Sequence, residues 1–418
     1  MHGSPTSGAL AVTCLTVAVH ASAQTPALVR AERVYFANHP DSALVLFEAA
    51  ARERPNDASL HAWVAESALR AGDGAAASRA ALEALRLDPC NAQAHLVRAS
   101  RFMPRFADAG HVDGDSVWMH LARAVRCDPR DGNAWEYVWK YAVMRRDSVA
   151  ERRALRALVA SGFLTRPQLA YSEWLLRSLP PRAVLVTGGD LDTYGPLAVQ
   201  AARGVRPDVA VVNAVMLSAA WYSEPTLARS DLRYVAATST TDDASPAQRI
   251  LRWLRRQAID ADSGGTRRPV AFALTAPLDT TAGDTALQLA GPYWLVVSPD
   301  APRSDPAGIA KALRDADGFD WRGPTVASSD RSPVRRVGEQ HPALRVARVA
   351  ALAAAIAPPM DVESARAREG QIARLLDRAG LGPRAIEQAL QQLRRASRPD
   401  HSATRHWRDS RVLVYGTT

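Results

Sequence analysis

Two carboxylates separated by one residue follow a pair of glycines in the stretch VLVTGGDLDTYGP, Val184 to Pro196. Asp190 and Asp192 are hard oxygen donors, suited to a divalent cation or to the hydroxyls of a sugar. The same residue types also serve backbone. Asp192 or Thr193 can cap a helix, and Asp190 can accept N–H groups in a turn. Both uses stand at this point, although one cap leaves the second aspartate unexplained. Tyr194, Trp221 and Tyr222 complete the candidate ligand-binding set with Asp190, Asp192 and Thr193. An aromatic ring with a polar tip can stack on a sugar face or pack against the loop before it. No catalytic residue and no cofactor are singled out; Asp190 and Asp192 are the only metal-ligand candidates.

Other chemistries find less support in the residues. The glycines of this loop do not space as G-x-G-x-x-G, and no Lys-Ser or Lys-Thr follows as in a P-loop. A G-x-S-x-G elbow is missing. The triplet GDS at Gly114–Ser116 lacks a preceding strand and reads as a helix N-cap. After removal of a leader, Cys90 and Cys127 would remain; two buried free thiols are expected rather than a bridge. No Cys/His spacing suggests zinc.

The loop needs a strand before it and a helix after it. RAVLVTGG (Arg182 to Gly189) is a short apolar run, and DTYGPLAVQAARG can be a helix that Gly204 stops. DVAVVNAVML, Asp208 to Leu217, is a second buried strand, which makes a βαβ unit of parallel strands. PVAFALTA and YWLVVSP supply further strands, and Arg206 to Asp208 forms the turn into the second strand. Ligands of an open parallel sheet collect at the carboxyl ends of its strands, where Gly188 to Tyr194 would lie. The prediction is a Rossmann-like α/β domain over 179–325, followed by a C-terminal helical segment over 340–398 and a polar tail at 399–418. RVLVY in that tail can add an edge strand.

The first third has a different rhythm. RPND, LDPCN and CDPRD recur, with Pro55 and Pro89 34 residues apart and Pro129 a further 40 on. The extra residues fit a loop between Met103 and Ser116. Ala43, Phe47, Ala50 and Pro55 are matched by Ala77, Ala81, Ala84 and Pro89, then by Leu121, Ala124 and Pro129. Small residues let helices approach, and proline ends the second helix of each pair. Residues 26–165 resemble the tetratricopeptide repeat family in period and position. That resemblance implies a helical array with a protein or peptide partner on the surface of its first helices. The fold class expected is therefore α plus α/β: an N-terminal helical array, a central parallel-sheet domain and C-terminal helices.

The segment Val184 to Glu224 carries a second resemblance. Gly189, Asp190, Asp192, Thr193, Tyr194, Gly204, Val205, Arg206, Asp208, Val209, Leu217, Trp221 and Tyr222 match a pattern G-D-N-D-T-[FY]-P, helix, G-V-R-x-D-V, strand, W-Y. It is similar to the C-terminal region of the DUF2723 family of glycosyltransferase-like membrane proteins. Leu191 stands where that pattern has Asn, and Gly195 is inserted before Pro196. The resemblance implies an extracytoplasmic α/β module tied to glycan or envelope biology, with a glycan as an alternative ligand.

Composition bounds the rest. Of 418 residues, 47% are hydrophobic and 23% charged, an ordinary globular balance. The net charge is +9, almost wholly from arginine, since Lys140 and Lys311 are the only lysines. The arginines are dispersed, which fits a solvated basic surface and not nucleic acid. GALAVTCLTVAV followed by ASA at Ala21–Ala23 resembles an export signal over 1–24, cleaved near Ala23. No later run is long enough to anchor the mature chain in a membrane. The expectation is an exported, periplasmic protein-binding or assembly module; the alternative is an enzyme or binder of glycans that uses the acidic loop.

Overall fold

In the computed structural model, residues 26–103, 113–234, 244–259, 268–274, 276, 286–298, 300–301, 306–320, 345–347, 349–351, 353 and 361–396 are described. The expected leader, the loop at 104–112 and the tail with RVLVY lie outside them.

Eight helices form the array. They are α1 (Pro26–Phe36), α2 (Pro40–Glu53), α3 (Ala58–Ala71), α4 (Gly74–Leu87), α5 (Ala92–Phe102), α6 (Gly114–Cys127), α7 (Gly132–Met144) and α8 (Ser148–Ala160). Their starts are set by short acids and amides. Asp57, Asp73, Asn91, Asp113, Asp131 and Asp147 each accept backbone N–H groups of the first turn, satisfying donors that a helix start leaves free. The cap is Asp113, the residue before the GDS triplet, and Ser116 lies inside the first turn with its hydroxyl on Asp113. Consecutive helices pack on each other, and α3, α5 and α7 also touch one another as an inner row. Alanines at Ala43, Ala77, Ala81, Ala84 and Ala124 are fully buried where the backbones approach.

Cys90 and Cys127 are joined in a disulfide, which overturns the expectation of free thiols. Stacked helix pairs bring equivalent turns to one edge. Cys90 follows Pro89 and Cys127 closes α6, so their Cα atoms lie 5.3 Å apart, inside the bridging range.

Beside the bridge, His95 on α5 and His120 on α6 meet in the core, Nδ1 to Nδ1 at 3.0 Å. His95 Nε2 faces the Pro89 carbonyl at 3.1 Å and must donate to it. His95 Nδ1 is then the acceptor, and His120 Nδ1 carries the shared hydrogen. Burial lowers both pKa values, with His120 taken to about 4; Arg98 and Arg123 press in the same direction on His120. An unfolded histidine titrates near 6.5. Protons therefore favour the unfolded chain as pH falls. The pair's stability is complete above about 6.5 and is lost on the way to about 4. Urea midpoints of the His120→Leu variant, compared with the parent across that window, should show a shallower pH dependence.

Helix α9 (Arg166–Ser178) begins in a capping box of Thr165 and Gln168 and leads into the sheet domain. Five strands follow: β1 (Val184–Thr187), β2 (Ala210–Asn213), β3 (Val270–Ala273), β4 (Ala286–Leu289) and β5 (Tyr293–Val297), in the order β2-β1-β3-β5-β4. β1 pairs in parallel with β2 and β3, as the βαβ pattern predicts. The expectation of a parallel sheet throughout is corrected at the other edge. β5 runs antiparallel to β3 and to β4; Ala290 to Pro292 joins β4 to β5 as a hairpin turn too short for the crossover that parallel neighbours need.

Further helices are α10 (Asp190–Arg203), α11 (Ala220–Arg229), α12 (Pro246–Ile259), α13 (Pro306–Asp315), α14 (Val362–Arg378) and α15 (Pro383–Ala396), and the described residues from 345 to 353 are helical too. α10 packs on β2 and against α8 and α9, while α12 packs on β3 and β5. One hydrophobic core runs from α5 through α9 and the sheet to α15. Two smaller cores serve the N-terminal helices.

The GVRPD turn holds this junction together. Arg206, at φ +48°, donates to the carbonyls of Leu176, Leu179 and Pro180 and pairs with Asp208. It thereby satisfies the open end of α9. Arg268 is buried and donates to the carbonyls of Arg182, Ala183, Asp208 and Ser230.

Candidate functional site

The carboxyl end of β1 turns at Gly188 and Gly189 straight into α10. The helix starts at Asp190, two residues before the expected Asp192, and its N-cap is Gly189 with no side-chain cap. The capping account of the aspartates is thereby corrected. Both lie inside the first turn, where negative charge is favoured by the helix dipole. Gly204 ends the helix in the left-handed region, as expected.

Each aspartate meets a cation from a distant part of the chain. Lys140 of α7 reaches Asp190 Oδ2 at 3.5 Å and Glu136 Oε1 at 2.5 Å. Tyr194 donates to the same Glu136 oxygen at 3.1 Å. Asp192 pairs with Arg345, whose guanidinium also lies over the Tyr171 ring at 5.2 Å. Among the described residues, no three His, Cys, Asp or Glu side chains gather as a metal centre would need. With all groups ionised, three acids face two cations.

Burial governs the protonation of this cluster. It pushes the Glu136 carboxyl above its ordinary value, against the pull of Lys140. It also works against the Lys140 charge, but Glu136 and Asp190 outweigh it and keep the amine protonated well above its usual range. Tyr194 is raised well above an ordinary phenol by burial and by Glu136. Asp192 likewise overcomes burial at Arg345 and holds that guanidinium charged. Two buried polar atoms on α7, Glu136 Oε2 and Trp139 Nε1, make no hydrogen bond.

The remaining sequence candidates divide. Thr193 is fully buried; its hydroxyl donates to the Gly189 carbonyl at 2.7 Å and meets Thr187 Oγ1 at 2.6 Å. Tyr194 is fully buried, edge-on to Trp139 at 5.1 Å. Tyr222 is buried too, and its hydroxyl accepts the Asn213 N–H at 2.8 Å where β2 ends. Burial pushes its pKa up to about 12. Of the two roles open to Tyr222, its ring takes the packing one, at the end of β2. Trp221 is half-buried against it, with rings 6.1 Å apart.

The side chain of Leu191 lies outside the described residues. Gly195, the inserted residue, lies in α10 where a Cβ would come within 2.2 Å of Ser172 Oγ on α9. Ser172 is buried and bonded to the Gln168 carbonyl, so it has little room to yield. Gly195→Ala should therefore lower stability by about 1–3 kcal/mol, measured as a urea midpoint shift. Glu136 and Lys140 were missed by sequence reasoning. Their signal was the i, i+4 acid–lysine pair inside an aromatic helix, AWEYVWKYAVM.

A groove of about 820 Å³ lies apart from this cluster, between α11 and the start of α12, with Glu224, Asp231, Arg233 and Arg249 on its walls.

A family model described as TMEM260-associated domain 2 matches residues 168–231. The match takes in α9, β1, α10, β2 and α11, with Asp190, Asp192, Tyr194, Trp221 and Tyr222. Glu136, Lys140 and Arg345 fall outside it. No curated protein matches the chain.

Proposed function

We propose that the protein is an exported tetratricopeptide-repeat protein that acts in the cell envelope as a protein-binding or assembly module, its Rossmann-like domain serving as the base of the array. The observation that carries this reading is that each outer helix exposes a large hydrophobic residue, whereas among the first helices of the pairs only α1 does, with Val29. Val45, Leu82, Trp118, Met119 and Val149 are exposed large hydrophobics on α2, α4, α6 and α8. The inner row offers little by comparison. Among the described residues, α3 exposes Ser59 and Arg70, α5 exposes Arg101, and α7 exposes none. The partner surface is therefore assigned to the outer helices. The disulfide supports export, since such bridges persist in oxidising compartments. No helix among the described residues is long and apolar enough to cross a membrane.

A photo-crosslinking residue placed at Leu82 or Met119 in cells should give a discrete adduct of protein size, absent from a control at Val362. Recovery of uncrosslinked chain alone at both outer positions would sink the reading.

One feature favours the glycan alternative. The Asp190 side chain is 32% exposed, and its contact with Lys140 is long. It can still accept a sugar hydroxyl at the sheet mouth. Asp190→Asn should then abolish the heat of binding of soluble glycan fragments without lowering the melting temperature; unchanged heats would remove this alternative.

A further inference from the structure

The Cys90–Cys127 bridge lies at the surface. Cys90 is exposed and Cys127 half-buried, and Pro89, Arg126, Pro129 and Arg130 beside them in sequence are exposed as well. Access of this kind makes a disulfide labile toward thiols, whereas a bond sealed in a core resists them. The contact between α5 and α6 does not depend on the bridge. In the core the same two helices meet through His95 and His120 at 3.0 Å, and Leu96, Ala99, Leu121 and Ala124 share the large hydrophobic cluster.

What the bridge restrains is the turn between α4 and α5. Cys90 lies in that turn, just ahead of the first residue of α5, with its N–H on the Asp88 carboxylate at 2.9 Å. Helix α5 is also where the cores change over. Its Ala94 and Val97 belong to a small core with α3 and α4, and its Leu96 and Ala99 belong to the large one. Cys127 is the last residue of α6, whose Val117, Leu121 and Ala124 are in the large core. The bridge therefore clamps the turn that leads out of α4 to a helix on the other side of that border.

We propose that this bridge is a thiol–disulfide exchange site for a C-x-x-C dithiol protein, and that opening it loosens α1 to α4 while the helices and strands of the large core stay folded. Attack falls on Cys90, the more exposed of the two. A thiolate of the donor forms a bond to Cys90 Sγ as the Cys90–Cys127 bond breaks. Cys127 leaves with the electron pair and takes up a proton. The donor's second thiolate then displaces Cys90 from the mixed disulfide, and Cys90 is protonated in turn. The donor ends as a disulfide and the chain as two thiols, two protons having passed from one to the other. The site does not depend on which partner the array binds.

Dithiothreitol should reduce the folded, full oxidised chain within about tenfold of its rate on the urea-unfolded chain; a bond that waits for global unfolding would be slower by about a thousandfold or more. A rate that climbs steeply with urea below the unfolding transition overturns the proposal. Thioredoxin with its second active-site cysteine changed to Ser is the probe for a protein donor. After a quench with N-ethylmaleimide, digestion of the folded chain should find thioredoxin on Cys90 and the alkyl group on Cys127. No mixed disulfide, or one on Cys127 alone, overturns the assignment. Limited trypsin should then cut the reduced chain at Arg70 and Arg79, in α3 and α4, about tenfold or more faster than the oxidised chain, with cutting at Arg177 and Arg203 in α9 and α10 unchanged. The variant Cys90→Ser with Cys127→Ser never forms the bond and should be cut like the reduced chain. Equal cutting of oxidised and reduced chains overturns the switch. Faster cutting at all four arginines, or a double variant that does not fold, makes the bridge a staple of the whole fold and overturns it too.

Discussion

Lys140→Met is expected to destabilise the protein by about 3–5 kcal/mol, because it leaves the Glu136 carboxylate buried without its cation. Glu136 is 2% exposed and Lys140 14%, so water can replace little of the lost interaction. Tyr194 would remain as one hydrogen bond to Glu136, and Asp190 would be freed toward solvent. The double variant Glu136→Leu with Lys140→Met removes both charges and should recover most of the loss, since an apolar pair of similar volume escapes the desolvation penalty. Urea unfolding of the two single variants and the double variant forms a complete cycle. Equal losses in Lys140→Met and in the double variant would show that packing, and not the buried charge, carries the effect.

Reduction of the Cys90–Cys127 bridge has a comparable expected effect. Its residues are 37 apart in sequence, and closing a loop of that size stabilises the native state by about 4 kcal/mol in the chain-entropy account. The expected loss is local, because α1 to α4 rely on two small cores separate from the one that includes the sheet. Hydrogen exchange under reducing conditions should therefore quicken in α3 and α4 while β1 to β3 stay protected. The variant Cys90→Ser with Cys127→Ser should reproduce the reduced pattern. Uniform quickening through the sheet would show that the two parts unfold together.

The array was legible in the sequence because its signal is periodic. Prolines at 55, 89 and 129 and small residues at fixed offsets report helix pairs without any knowledge of the neighbours. The first strand, the helix after it and the parallel pairing with β2 were legible for a similar reason, as apolar runs bounded by glycines. β4 was not: ALQL is four residues long, and only its hairpin with β5 makes it a strand. The disulfide was misjudged because the approach of two turns depends on how helix pairs stack.

At the site the gap is wider. Local pattern offers caps to Asp190 and Asp192, but their partners lie 50 and 153 residues away. Tyr222 resembles a binding aromatic in sequence and is in fact the acceptor that closes the end of β2. For the two aspartates the deciding contact comes from a distant part of the chain, and composition within a window cannot contain it.

The shared core also fixes where the chain can change length. Helix α7 is at once the last inner helix of the array and a wall of the sheet domain, sealed by Glu136, Lys140 and Trp139. A helix pair inserted after it would have to rebuild that wall, whereas a change among α1 to α4 would touch only the two smaller cores. A change of length among the N-terminal helices would thus leave the sheet's core untouched, while the segment from α7 to α11 must keep its length.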